Sequence, residues 1–194
     1  MYSMIRELTT EETRMVYSNW MKVDFPPAEL KPLSVIEKCR RKGQYICYGY
    51  FEEKELLAYA FWVESKVKGN ILCLFDYFAV RSDKRGTGIG SACLKELGEK
   101  AGKYDLFVVE VEDPSKADND EQRIMRDKRL SFYLANGLKD SNCFGQAWGV
   151  DYKLLYMGKN EKPTSKEIKE AYFAFYKTLL PFYLVLTKIR FWTN

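Results

Sequence analysis

The chain has 194 residues, 46% of them hydrophobic and 30% charged, and its formal net charge is only +4. This length can bury a sizeable core as one domain, and so small and dispersed a charge argues against a nucleic-acid-binding surface. The chain contains no histidine, which excludes the commonest general base and most zinc sites, so we expect no metal.

The first half of the sequence predicts a strand, two helices and three further strands. Residues 4–8 predict the first strand, and Thr9 with Glu12 has the spacing of a capping box at the start of a helix. Three strand-like runs follow a second helix, and the short links between them favour an antiparallel meander. The second helix and the three strands are predicted at residues 33–42, 44–51, 56–65 and 71–80.

The second half alternates helices and strands. A helix is predicted over 88–102 and a strand over 104–112, and an acidic loop then leads to a helix that ends at Asn136 and Gly137. Two last strands are predicted within residues 144–149 and 152–157. This order indicates a mixed α/β sheet with helices on its faces.

The last part of the chain is rich in aromatic residues. Residues 165–192 predict a helix that is kinked near Pro181 and packs on the domain through its apolar face. A dimer contact or a wall of the substrate pocket is the alternative. No clean run of about 20 apolar residues is present, so we expect no membrane span. We therefore predict a domain over 1–160 and a C-terminal helical extension over 161–194.

The five cysteines indicate where the protein works. They are odd in number, mostly lie in apolar runs and show no CxxC spacing. Structural thiols in a reducing cytoplasm are the expectation, and no secretory leader is recognisable at the start of the chain.

A glycine-rich segment follows the predicted strand 71–80. The sequence VRSDKRGTGIGSACL places glycines between that strand and a helix, beside Arg81, Lys84 and Arg85. Bare backbone N–H groups at a helix start, with mobile cations around them, form a phosphate site. An ATP-binding P-loop is excluded because Gly90 is followed by Ser91 and Ala92.

Two ligand classes then remain. A dinucleotide site would use Gly86, Gly88 and Ser91 with Glu110 downstream, but the third glycine is missing and residues 81–85 separate strand from turn. The other class is coenzyme A. RGTGIG, residues 85–90, resembles the R/Q-x-x-G-x-G/A signature of the GNAT superfamily of acetyl-CoA-dependent N-acetyltransferases, and RLSFYLANGLK is similar to a later helix of that family.

The resemblance implies a fold and a cofactor site. The fold is a mixed, largely antiparallel central sheet with helices on both faces, to which this chain adds a C-terminal helix. The strand end at Phe78, Ala79 and Val80 would pair with the pantetheine arm of acetyl-CoA. Backbone N–H groups would hold the pyrophosphate, and they belong to Arg85, Gly86, Thr87, Gly88, Ile89, Gly90 and Ser91.

The catalytic expectations are less direct. Asp76 is the only ionised residue of its strand, and the family often has a carboxylate there, so Asp76 is either the base or a hydrogen-bonded structural residue. Glu110 and Glu112 share a face of the next predicted strand and are the alternatives. The resemblance implies that Tyr133 is the acid that protonates the leaving thiolate, while ordinary aromatic packing would also explain it. An Asn role near the coenzyme arm is not transferred to Asn119.

These residues together favour an N-acetyltransferase that acts on a primary amine of a small molecule or peptide. The alternative is a coenzyme-A-binding or protein-interaction module of the same fold with little activity. A homodimer through the C-terminal helix belongs to that alternative and is left open.

Overall fold

The computed structural model describes residues 3–27 and 29–193. It is a mixed α/β protein whose strands run mostly antiparallel. The chain divides into two compact units. The first comprises residues 1–64 and 75–100, and the second comprises residues 65–74 and 101–194. The predicted division at residue 160 stays a prediction.

The first unit contains the N-terminal helices and the predicted meander, in the strand order β1-β2-β3-β4. A short π-helical stretch, Tyr17–Met21, joins the first two helices into a continuous helical segment. The elements are β1 (Ser3–Glu7), α1 (Thr10–Val16), α2 (Lys22–Asp24), α3 (Leu33–Arg41), β2 (Tyr45–Glu52), β3 (Glu55–Val67), β4 (Asn70–Val80) and α4 (Ile89–Ala101). The end of β3, the start of β4 and the last residue of α4 belong to the second unit.

The predicted capping box at the start of α1 is confirmed. The Glu12 N–H donates to Thr9 Oγ1 at 3.1 Å, and the Thr9 N–H donates to Glu12 Oε2 at 2.8 Å. Both guanidinium ends of Arg6 also donate to the Glu12 carboxylate, at 2.8 and 2.6 Å. These contacts join β1 to α1 and hold the pKa of Glu12 down at about 2, first through Arg6 and then through Thr9.

Replacing Glu12 by Gln should make the free energy of unfolding depend less on pH in the acid range. The folded-state pKa of Glu12 is lowered from 4.5 to about 2, so its stabilising contribution is present above pH 4.5 and is lost as the pH falls towards 2. Urea unfolding at pH values across this window should show a smaller pH slope for Glu12→Gln than for the unmodified protein. An identical slope would show that the Arg6 contact contributes nothing to stability.

Strand β3 lies at the centre of the first unit. Leu57 to Val63 are all almost completely buried, so both faces of the strand are covered. An antiparallel strand at the surface would alternate buried and exposed side chains, and this one does not. β3 pairs with β2 in antiparallel register, with Cys47 opposite Phe61. The first unit is therefore built around a strand enclosed on both sides.

The second unit contains the rest of the chain. Its strand order runs from the first residues of β4 as β4-β5-β7-β6-β8, and β5–β7, β7–β6 and β6–β8 are antiparallel pairs. The elements are β5 (Leu106–Glu112), α5 (Asp120–Ala135), β6 (Lys139–Ala147), β7 (Val150–Met157), α6 (Ser165–Leu179), α7 (Phe182–Lys188) and β8 (Ile189–Thr193).

The C-terminal segment contains the predicted helix and two further elements. α6 buries its apolar face as expected, but the chain turns extended at Leu180, and Pro181 begins a separate helix, α7. Residues 189–193 then form β8, which pairs with β6 and which the sequence analysis did not predict. The apolar run continues across all three elements, so its periodicity does not reveal where helix changes to strand.

Candidate active site

The glycine loop follows β4 in the first unit. A single 3₁₀ turn, Ser82–Lys84, leads to Gly86 and Gly88, whose φ angles are 78° and 88°. A Cβ atom at either glycine would meet nothing within 4 Å, so backbone conformation, not space, is what requires glycine here. α4 begins immediately afterwards, at Ile89.

The loop presents backbone donors to solvent. The first helical hydrogen bond of α4 runs from the Ala92 N–H to the Gly88 carbonyl. The N–H groups of Ile89, Gly90 and Ser91 therefore have no partner within the helix and lie at its positive end. Thr87 donates its hydroxyl to the Lys84 carbonyl at 2.6 Å, which fixes the turn before the helix. The arrangement can bind an anion such as a pyrophosphate.

The cations around the loop are mostly paired, which corrects the expectation of mobile positive charge. Arg81 contacts Asp83 and Glu55, and the pKa of Arg81 is raised by these two carboxylates, Asp83 first. Lys84 makes no ion pair with any residue in 3–27 or 29–193. Among Arg81, Lys84 and Arg85, Lys84 is thus the one cation without an ion pair to a described residue, because Arg85 pairs with Asp24.

Arg85 connects the loop to two other segments of the first unit. Its Nε donates to the Val80 carbonyl at 3.0 Å, and its guanidinium pairs with Asp24 at 2.6 Å. Asp24 also accepts a hydrogen bond from the Tyr59 hydroxyl at 2.8 Å. Burial, with the Asp24 charge, raises the pKa of Tyr59, so the phenol remains a donor. The end of β4, the glycine loop and the end of α2 are held together by one guanidinium.

The end of β4 differs from its middle. Phe75 and Tyr77 are buried, whereas Phe78, Ala79 and Val80 are half-buried. The Arg81 N–H, directly after the strand, donates to the Leu57 carbonyl at 2.9 Å. The three residues expected to pair with an extended arm thus lie where the strand emerges from the core.

Asp76 is a buried, partnered carboxylate. Its side chain is only 2% exposed, and Lys31 Nζ lies 2.6 Å from its Oδ1 atom. The Tyr45 hydroxyl donates to its Oδ2 atom. Burial and the Asp76 charge raise the pKa of Tyr45 well above its usual range, so this phenol stays a donor. The sequence analysis did not predict Lys31, and residue spacing gives no signal for it, because it lies 45 positions from Asp76 in a proline-rich loop.

The segment that carries Lys31 is fixed to β4 through Tyr77. The Tyr77 hydroxyl accepts from the Lys31 N–H and donates to the Glu29 carbonyl, each at 2.8 Å. Tyr17 adds a hydrogen bond to the Lys31 carbonyl at 3.0 Å. Burial raises the pKa of Tyr77 to about 12, which keeps it in the neutral form that both contacts need.

Glu110 lies on β5 in the second unit and is held by two tyrosines of α6. Its Oε1 atom accepts from Tyr176 at 2.7 Å and from Tyr172 at 3.1 Å. Burial raises the pKa of both phenols well above the usual range, so both remain donors. A Cβ atom on Gly145 would lie 2.4 Å from the Tyr172 oxygen, so only glycine admits this ring. Glu110 is therefore not a simple solvent-facing residue.

The other predicted residues of the second unit have separate surroundings. Glu112 is engaged by Arg126 at 3.3 Å and by Arg129 of the same helix. Tyr133 is half-buried on α5, with its ring 5.4 Å from that of Phe132, and burial raises its pKa although Arg129 opposes the shift. Asn119 accepts from the Gln122 N–H at 2.9 Å, which identifies it as the N-cap of α5.

No group of three or more Cys, Asp or Glu side chains within 3–27 and 29–193 is placed to hold a metal ion. No helix in the same residues has the length and apolar character that crossing a membrane requires.

Solved structures resemble this chain in fold, whereas comparison of its sequence finds no match. No protein-family model and no curated protein matches the chain. A protein described as a GNAT-family acetyltransferase from Bacteroides thetaiotaomicron matches at a TM-score of 0.65 with 19% identity, over 86% of this chain and 92% of that one. The chain has the GNAT acetyltransferase fold.

Further solved structures share the GNAT fold. Arabidopsis thaliana Naa50, in complex with the bisubstrate analogue CoA-Ac-MVNAL, matches at a TM-score of 0.59 with 12% identity, over 81% of this chain and 99% of that one. A spermidine N-acetyltransferase chimera of Vibrio cholerae SpeG and hSSAT matches at a TM-score of 0.60 with 11% identity, over 87% of this chain and 99% of that one. The predicted fold class, a mixed and largely antiparallel GNAT-like sheet, is thus confirmed.

Proposed function

We propose that this GNAT-fold protein transfers the acetyl group of acetyl-CoA to a primary amine. The observation that carries the proposal is the loop with two left-handed glycines, Gly86 and Gly88, which leads into the exposed N-terminus of α4. Two relatives in fold support the choice of ligand, because Naa50 was solved with a coenzyme A bisubstrate analogue and a Bacillus subtilis acetyltransferase with CoA.

In this proposal the backbone of residues 85–91 binds the pyrophosphate. The glycine conformations fix the direction of the N–H groups, so binding requires little rearrangement of the loop. Phe78, Ala79 and Val80 would pair with the pantetheine arm as an added strand pairs with a sheet. Since the Val80 carbonyl already accepts from Arg85, the arm competes with Arg85 for that oxygen or uses its neighbours.

A carboxylate must take a proton from the amine before it attacks the thioester. Asp76 in the first unit and Glu110 in the second are the proposed bases. Asp76 already holds an ammonium group, that of Lys31, whereas Glu110 is held by two phenols. A base acts on a proton within hydrogen-bond reach, and Asp76 has such a proton on the Lys31 ammonium. We therefore place Asp76 first and Glu110 second.

Tyr133 is the proposed acid for the thiolate that leaves. Its raised pKa keeps the phenol protonated throughout the neutral range, so it is available as a donor. Replacing Tyr133 by Phe should lower kcat by about a hundredfold, the lower end of general acid catalysis, and leave the Kd for acetyl-CoA almost unchanged. Thiol release in the presence of an amine and calorimetric titration measure the two quantities.

The matched control for Tyr133→Phe is Tyr183→Phe. Tyr183 lies on α7 and its side chain is 65% exposed, so loss of its hydroxyl should change neither quantity. If Tyr133→Phe has the kcat of the unmodified protein, Tyr133 has no part in the mechanism and is a packing residue.

The acceptor is proposed to be a small molecule or a peptide with a primary amine. Proteins of the same fold include a spermidine N-acetyltransferase and an enzyme solved with a peptide-bearing analogue, so both kinds of amine belong in a screen. No metal is part of the proposal, and neither nucleic acid nor a membrane is a proposed partner. A cytoplasmic location is proposed from the cysteines alone, since none of the five forms a disulfide within residues 3–27 and 29–193 and all five are buried.

The competing function is a coenzyme-A-binding or interaction module with little catalysis. One observation favours a homodimer in either case: Phe182, Tyr183 and Leu186 of α7 are each more than 60% exposed, although α6 buries its own apolar face. Dimerisation of this kind would be lost when these three exposed side chains are replaced by serine, which leaves β8 and the buried Val185 and Ile189 in place. The module hypothesis is wrong if the full-length protein sediments as a monomer and acetylates an amine.

Thermal unfolding with acetyl-CoA, coenzyme A, NADH and ATP in parallel tests the proposed cofactor. A ligand that binds the folded state raises the midpoint. The expected result is a shift with acetyl-CoA and coenzyme A but with neither NADH nor ATP. A shift with NADH alone would indicate a dinucleotide site, and no shift with the coenzyme A compounds would overturn the proposed function.

A further inference from the structure

In this structure the side-chain amine of Lys31 contacts Asp76, the proposed base. Lys31 Nζ lies 2.6 Å from Asp76 Oδ1, and the side chains are 15% and 2% exposed. Tyr45 donates to the second carboxylate oxygen, and the Lys31 ammonium lies 5.1 Å from the centroid of the Tyr77 ring. A carboxylate and an aromatic face are groups that recognise a primary ammonium. Lys31 therefore occupies what is chemically an amine site.

The amine site is close along β4 to the proposed place of the acetyl donor. Asp76 and Phe78 are alternate residues of one strand, so their side chains share a face and lie about 7 Å apart. In the proposed function, Phe78, Ala79 and Val80 hold the pantetheine arm, whose end carries the acetyl group. The Lys31 amine contacts Asp76, which is two residues before Phe78, the first of the residues that would hold that arm.

We propose that Lys31 is itself an acetyl acceptor, so that the protein acetylates its own Lys31 in the complex with acetyl-CoA. This inference rests on the proposed function. The Nζ atom of Lys31 forms a bond to the thioester carbonyl carbon, and the carbon–sulfur bond breaks. The ammonium loses two protons: one passes through Asp76 to water, and the other ends on the coenzyme A sulfur. The products are acetyl-lysine, coenzyme A and one proton.

The surroundings of the pair permit this proton transfer. A hydrogen bond between Nζ and Oδ1 already exists, and moving one proton along it turns the ion pair into a neutral amine and a neutral acid. The neutral amine is the form that attacks a thioester, and the carboxylate 2.6 Å from Nζ is the group that would take its proton.

The backbone of Lys31 is fixed, which gives the reaction an intramolecular advantage. Its N–H donates to the Tyr77 hydroxyl at 2.8 Å, and its carbonyl accepts from Tyr17 at 3.0 Å. A nucleophile held in place reacts as if present at a very high concentration. Acetylation of Lys31 should therefore proceed within one chain, at a rate that does not depend on protein concentration.

The test is peptide mass spectrometry of the full-length protein after incubation with acetyl-CoA alone. We expect one acetyl group at Lys31, at a rate more than about tenfold above that of the exposed Lys54. Lys31→Arg keeps a positive charge beside Asp76 but removes the amine, so it should abolish this modification. Asp76→Asn should slow it by about a hundredfold, the loss expected of a general base.

The Gly88→Glu variant separates enzymatic from chemical acetylation. It should lose modification at Lys31 and keep the slow chemical modification of Lys54, because only the first needs bound acetyl-CoA. Equal rates at Lys31 in Gly88→Glu and in the unmodified protein would overturn the inference.

Two further outcomes separate this inference from the proposed function. If acetyl-CoA raises the thermal midpoint and Lys31 stays unmodified, self-acetylation is wrong while the proposed function stands. If acetyl-CoA does not bind at all, the proposed function is wrong, and the inference falls with it. An Asp76→Asn variant that does not fold leaves Lys31→Arg and Gly88→Glu as the deciding pair.

Discussion

Replacing Gly88 by Glu is expected to abolish acetyl-CoA binding. Gly88 has a φ angle of 88°, and a residue with a side chain there costs about 1–2 kcal/mol. The new carboxylate would also lie at the helix N-terminus where the pyrophosphate is proposed to bind. Two like charges about 4 Å apart near a surface repel by about 4 kcal/mol, which corresponds to a Kd raised about a thousandfold. Calorimetric titration with coenzyme A measures this loss.

Two glycine variants serve as controls for Gly88→Glu. Gly88→Ala adds the backbone strain but no charge, so it should lower stability by about 1 kcal/mol and weaken binding much less. Gly98→Ala lies on the same helix, meets nothing within 4 Å and should leave binding unchanged. If Gly88→Glu binds coenzyme A with the Kd of the unmodified protein, the loop does not bind the pyrophosphate.

Replacing Lys31 by Met is expected to destabilise the protein strongly. The Asp76 side chain is 2% exposed and would lose its counter-ion, while the Tyr45 hydroxyl still donates to it. Breaking a buried ion pair in this way costs about 3–5 kcal/mol, because a charge is left without compensation. The free energy of unfolding from urea titration measures the loss.

The cost should depend on the Asp76 charge and not on the lost side-chain volume. A Lys31→Met, Asp76→Asn double variant should recover part of the stability, since no buried charge remains in it. Lys54→Met, in an exposed turn, should change stability by less than about 0.5 kcal/mol. A loss below about 1 kcal/mol for Lys31→Met would show that water or another group compensates Asp76.

Features that depend on near neighbours were predictable from the sequence. The Thr9–Glu12 capping box joins residues three positions apart, and the Asn136–Gly137 helix end requires one left-handed glycine, with φ at 90°. The glycine loop is equally local, since Gly86 and Gly88 adopt positive φ angles that other residues rarely adopt. Such features follow from dihedral preferences and hydrogen bonds over a few residues, which sequence patterns record.

The partners of the candidate catalytic residues were not predictable. Asp76 was identified as an isolated charge in an apolar strand, but its counter-ion lies 45 positions away. Glu110 was identified by its place on a strand, yet its two phenol donors are 62 and 66 positions away on α6. Strand β8 was missed for a similar reason, because its pairing with β6 and not its own periodicity makes it a strand.

The sequence by itself determined the glycine loop, most of the helices and strands, and the resemblance that led to the GNAT fold. Only the tertiary structure decided which groups surround each carboxylate, and that Arg81 and Arg85 are already paired near the loop. The physical reason is that backbone conformation is encoded within a few residues, whereas burial and charge pairing are set by chain segments that meet only on folding.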